Sequence, residues 1–170
     1  MDKPTIMEIG PFLLAGFSFY GDPFAYHMEW ENENEIGQLW SRFYQSLEGQ
    51  PEFSKIVQSG GIMYEMHLLH PQSKATGRYE VFIGAPYTTP AQLPVHFLLK
   101  NAPAKRYLQY RVNGTAIVDD PEHLPIDRDM HEFGYQRDPT YHFVGYDDQF
   151  LGMDRLDEST VLILIPILES

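Results

Sequence analysis

Cysteine is absent from the 170-residue chain, which excludes a disulfide scaffold, a thiol nucleophile and a thiolate zinc site. Basic residues are scarce: 12 Lys and Arg stand against 24 Asp and Glu, for a formal charge of −12. A phosphate backbone needs clustered positive charge, and no cluster is visible, so no direct nucleic-acid contact is expected. The acidity itself reads as solubility, with attraction of cations as the alternative. Long hydrophobic runs are also missing. The longest, Val161 to Leu168, is far too short to span a bilayer. Met1 to Gly10 has neither the basic start nor the apolar stretch of a signal peptide. A soluble, cytoplasmic protein with no membrane partner is expected.

Catalytic signatures are missing as well. There is no Gly-x-Ser-x-Gly elbow, phosphate loop or dinucleotide fingerprint, so no catalytic residue and no cofactor is assigned. His67 and His70 point to opposite faces of an extended segment and lack a suitably spaced carboxylate, so no metal site is assigned either.

Aromatic residues are plentiful. Eleven Tyr, eleven Phe and two Trp make 14% of the chain, and 43% of it is hydrophobic. That suffices for one sizeable core rather than two. Tyrosines fill cores, but they also line ligand pockets, because they offer a flat apolar face and a hydroxyl.

Along the chain, Phe12 to Tyr20 reads as a strand between Gly-Pro and Gly-Asp-Pro punctuation. Ile36, Leu39, Trp40, Phe43 and Leu47 recur at helical spacing, with Asn34 to cap the start and Gly49 to end it. Trp40 sits within that stripe, where packing the helix onto a sheet is its default role. Ile62 to Leu69 alternates, with Tyr64 and Met66 on one face and Glu65 and His67 on the other. Gln72 to Gly77 is a polar turn and Tyr79 to Ile83 a strand. A proline-bearing connector holds the short apolar run His96 to Leu99, which suits a sheet edge. The order then repeats: a strand over Arg106 to Val112, a weaker helix within Asp119 to Phe133, and strands over Tyr141 to Tyr146 and Val161 to Ile167. The second helix starts at Asp120-Pro121 or at Pro125; in the latter case Ile126, Met130 and Phe133 form its buried face. The fold class expected is α+β: two pseudo-symmetric β-α-β-β repeats with antiparallel strands around a central ligand groove. Repeat one spans about 10–86, a connector 87–103 and repeat two about 104–168, all in one domain.

Within this order, Ile36-Gly37-Gln38-Leu39-Trp40-Ser41-Arg42-Phe43 resembles the first helix of the GyrI-like domain, the effector-binding part of AraC-type and MerR-type regulators. Pro103 to Gly114 is similar to its second-half strand, and Phe143 to Asp147 and Leu162 to Ile167 to its last two strands. The resemblance implies small-molecule binding in the groove between the repeats. Family regulators carry a fused helix-turn-helix. Here the strand pattern begins within about a dozen residues of Met1, so a stand-alone form is expected. The resemblance also places a cation-facing Glu at Val144, and pocket tyrosines at Val81 and Leu164. With those positions aliphatic, a preference for neutral aromatic ligands over lipophilic cations is expected.

The candidate ligand-binding residues are Phe24, Tyr26, Trp30, Trp40, Tyr64, Glu65, Val81, Tyr110, His142, Val144 and Leu164. Phe24, Tyr26 and Trp30 form an aromatic loop that either lids a groove or covers the core edge. Glu65 is a pocket carboxylate if its face points inward and a solvated charge if outward; Glu80 is similar. His142 either hydrogen-bonds a ligand or sits at a strand edge. The resulting reading is a non-catalytic module that captures a small, aromatic, largely apolar ligand. The alternatives are a gyrase-inhibitor-like module contacting a protein partner, such as a gyrase or a transcription regulator, and a hydrolase of cyclopropane-bearing alkylators.

Overall fold

The computed structural model describes residues 3–26, 33–51, 53–55, 61–87, 93–117 and 124–168. Helix α1 (Glu35–Glu48) forms where the apolar spacing requires it. The Asn34 side chain accepts from the Gly37 N–H at 2.8 Å, and Ile36, Leu39, Phe43 and Leu47 are buried at intervals of three and four.

The strands are β1 (Thr5–Ile9), β2 (Phe12–Gly21), β3 (Met63–Leu68), β4 (Tyr79–Pro86), β5 (Leu98–Ala102), β6 (Lys105–Asn113), β7 (Tyr141–Tyr146) and β8 (Thr160–Pro166). They form a single sheet in the order β1-β6-β8-β7-β3-β4-β2-β5, and every pairing is antiparallel. From the β3–β7 seam outward, each half repeats the same plan: its second, third and then first strand. This is the pseudo-symmetric α+β arrangement expected. Two strands complete it by exchange. β1, which precedes the first half, borders β6 of the second, and β5, which precedes the second, borders β2 of the first.

One close approach marks the first half. Gly16 and Gly84 are register partners, and a Cβ on Gly16 would lie 1.8 Å from the Ile83 carbonyl oxygen. No side chain fits there, so β2 and β4 approach more closely than other residues would permit.

Cross-strand partners share a face, so the register sorts the core. One row runs Phe17, Ile83, Glu65, Val144, Ile163, Tyr110. Its members from β2 and β4 pack under α1, and its members from β6, β7 and β8 under Met130 of helix α3 (Ile126–Glu132). The adjacent row, Phe82, Met66, Phe143, Leu164, lies on the opposite face with Tyr64 and Tyr107. β8 is buried on both faces, as its unbroken apolar run predicts.

Several details differ from expectation. β1 is an unforeseen edge strand. Gln72 to Gly77 contains a one-turn helix, α2 (Ser73–Thr76), closed by Gly77 at φ 69°. α3 starts after Pro125 and is short, and Phe133 is 44% exposed rather than buried. Asp129 is buried in its place, because Tyr110 Oη donates to its Oδ2 at 3.0 Å and Arg128 holds its Oδ1.

Candidate functional site

The seam strands carry a polar cluster into the helix-facing core. Glu65 is 0% exposed. A buried carboxylate is tolerated only when its oxygens are hydrogen-bonded, and three partners serve this one. Trp40 Nε1 donates to Oε2 at 2.8 Å, Tyr146 Oη donates to the same oxygen at 3.2 Å, and His67 Nε2 lies 2.5 Å from Oε1. Trp40 lies against both helix-facing cores. Its ring meets Tyr146 edge-on at 5.3 Å and stacks on Tyr44 at 5.8 Å. Burial, then the Glu65 charge, pushes the Tyr146 hydroxyl well above its ordinary pKa, so it remains a donor.

The cluster continues along the next row, Val81, His67, His142. The His67 ring stacks on His142 at 4.7 Å and on Tyr79 at 5.4 Å. Burial, followed by the fields of His67 and Arg137, holds His142 well below the usual histidine pKa, so it is neutral at pH 7. Among the described residues its Nδ1 is buried without a hydrogen-bond partner, as is Nε of Arg137. Both residues line one cavity of about 620 Å³, together with Ile163, Ile165, the start of α3 from Leu124 to Arg128, and Lys74 of α2. The volume lies within the range of small-molecule pockets.

Among the sequence-derived candidates, Trp40, Glu65, Val81, Tyr110, His142 and Val144 share the helix-facing side of the sheet. Tyr64 and Leu164 lie on the other side. Phe24 packs at the edge of the first-half core, Tyr26 is 88% exposed, and Trp30 lies outside the described residues. Of the set, His142 lines the cavity. Glu65 takes the inward orientation and is the register partner of Val144. A buried carboxylate thus stands one strand away from the position at which the resemblance places one. Glu80 is engaged elsewhere, accepting from Ser18 Oγ at 2.7 Å and from Lys100 Nζ at 2.8 Å. Sequence reasoning missed Arg137, Ile163, Ile165 and Lys74. Nothing local marks them, because the cavity unites segments far apart in the chain. Among the described residues no group of His, Asp or Glu is arranged to hold a metal ion, and no helix is long and apolar enough to cross a membrane.

Comparison with known proteins agrees with this fold. The family model Cass2, integron-associated effector binding protein, matches residues 5–167. No curated protein sequence gives a significant match. Among solved structures, an integron cassette protein from Vibrio cholerae aligns with TM-score 0.60 at 20% identity, covering 98% of this chain and 96% of that one. SAV2435, solved bound to tetraphenylphosphonium, gives TM-score 0.62 at 11% identity, covering 98% and 94%. The EcmrR C-terminal domain gives TM-score 0.60 at 12% identity, covering 98% of each. At these identities the three structures share the fold.

Proposed function

The chain belongs to the Cass2 family of integron-associated effector binding proteins, and from that membership we propose that it captures a small, flat, largely apolar molecule on the helix-facing side of its sheet without transforming it. The observation that carries this reading is the cavity of about 620 Å³ beside the β3–β7 seam. Its isoleucine walls desolvate an apolar body, while His142 and Arg137 give the lining a polar side. Capture without chemistry is favoured because the buried carboxylate of the seam, Glu65, is sealed by Trp40, Tyr146 and His67 and is 0% exposed, and the buried Asp129 is held by Tyr110 and Arg128. General acid–base work requires contact with the reacting group, and Glu65 offers none in this arrangement. SAV2435, which shares the fold and was solved with a bulky aromatic cation, supports aromatic ligands for the fold.

The experiment is calorimetric titration of the full chain with naphthyl compounds of equal size. Binding in the micromolar range with a negative heat-capacity change is expected, because apolar surface is buried. Failure of every probe to bind, or turnover of a bound probe, contradicts the reading.

A further inference from the structure

We propose that His142 gates ligand capture by pH: an imidazolium at this position and an apolar guest in the adjoining cavity exclude one another, so the site holds its ligand near neutrality and releases it on acidification. This rests on the effector-binding reading above and adds the regulation of that same site.

His142 stands where the seam meets the cavity wall. On the seam side it is the register partner of His67, and the two rings stack at 4.7 Å. His67 Nε2 in turn lies 2.5 Å from Glu65 Oε1. On the cavity side His142 shares the lining with Leu124, Ile126, Ile163 and Ile165. An apolar guest among those side chains takes water away from the imidazole. A charge in a dehydrated site costs free energy, so the guest disfavours the protonated ring.

The charged groups around the ring do not offset that cost. From β3 come His67 and, beyond it, Glu65, whose oxygens are engaged by Trp40, Tyr146 and His67. From β4, Tyr79 stacks on His67 at 5.4 Å. The segment before β7 brings Arg137 and Asp138, and Asp138 is held by Lys105 and Thr140. From α3 come Arg128, the exposed Asp127, and Asp129, which is held by Tyr110 and Arg128. α2 brings Lys74, and β8 brings Ile163 and Ile165. Burial opposes protonation of His142 most, and the fields of His67 and Arg137 oppose it further.

The sign follows from linkage. A guest that covers the ring lowers the pKa of His142 below its value in the free protein, so the proton must leave for the guest to enter. Capture is therefore at full strength above the ordinary histidine pKa of about 6.5 and weakens as pH falls below it.

The test titrates the full chain with 2-naphthamide, which keeps the same charge between pH 7.5 and 5, so a change in affinity belongs to the protein. Affinity is expected to fall about threefold or more over that range, within the limit of about tenfold per pH unit that one proton sets. Calorimetry at pH 5.5 in two buffers of unlike ionisation enthalpy is expected to show net proton release on binding. The His142 Hε1 resonance is expected to titrate at lower pH in the complex than in the free chain. His142→Phe is expected to bring the affinities at pH 7.5 and 5 together, whatever its affinity at neutrality. Should that variant fail to fold, the proton release and the resonance of the natural chain decide. Affinity that is unchanged or rises in acid, absence of proton release, or a pH dependence that survives in folded His142→Phe overturns the proposal and leaves the effector-binding reading standing. No binding at pH 7.5 overturns both.

Discussion

The two halves of the molecule share a strand order but not a filling. In the first, a 14-residue helix lays four buried apolar side chains on the sheet, and Phe53 and Phe97 close the space beside it at 4.5 Å between ring centroids. In the second, the helix has 7 residues, two of them buried, and one of those is Asp129. The shorter element leaves part of β7 and β8 uncovered, and the cavity lies there. The same fold plan therefore builds a packed scaffold on one side of the seam and a receptive space on the other. Trp40, rooted in the packed half, reaches across to Tyr146 and ties the two together.

That contrast can be probed first by stability. Phe43 is 0% exposed and packed among Phe17, Trp40 and Phe97, so Phe43→Ala should cost about 3–5 kcal/mol. Ile126, partly buried at the cavity wall, already lacks neighbours on one side, so Ile126→Ala should cost less than about 2 kcal/mol. Urea unfolding of both variants measures the difference. Equal costs would mean that the halves are packed alike.

Acid should produce a smaller effect, and on one side only at first. His142 is held below its ordinary pKa in the fold, by burial and then by His67 and Arg137. The unfolded chain thus takes up a proton that the folded ring refuses. The stability involved is fully present above the ordinary histidine pKa of about 6.5 and is lost as pH falls below it. Carboxylates follow at lower pH. Burial alone would raise Asp147, but the Arg111 guanidinium at 2.7 Å holds it below its usual range. Its contribution is present above the ordinary aspartate pKa of about 4 and disappears below it. Thermal melts between pH 7.5 and 5 should fall for the natural chain and flatten for His142→Phe. Identical slopes would show that His142 is not the group responsible.

Much of the packed half was legible in the sequence. Asn34, the Ile36 to Leu47 stripe and Gly49 specify α1 through cap and period, and both signals are local. The strands of the repeat are legible for the same reason. β1 was not, because Thr5–Ile9 is mostly exposed at a sheet edge and shows no buried alternation. The second helix is blurred by Pro121 and Pro125, and its buried face is set by the Tyr110–Asp129 hydrogen bond, a polar contact that apolar periodicity does not register. Glu65 marks the limit most clearly. Alternation shows that Glu65 and His67 share a face, but both faces of β3 are buried, so a period of two cannot tell which one meets the helices. That required the pairing register, which also placed Glu65 beside Val144. The cavity was illegible because Lys74, Arg137, His142 and Ile165 converge only through the fold.

The most direct test of the account fills the cavity. Ile163→Phe adds volume on the side of β8 that faces it. Affinity for the naphthyl probe that the natural chain holds most tightly should fall about tenfold or more, while the urea midpoint changes little, since the added ring occupies space that is already open. Unchanged affinity in a folded variant would contradict the assignment of this cavity as the ligand site.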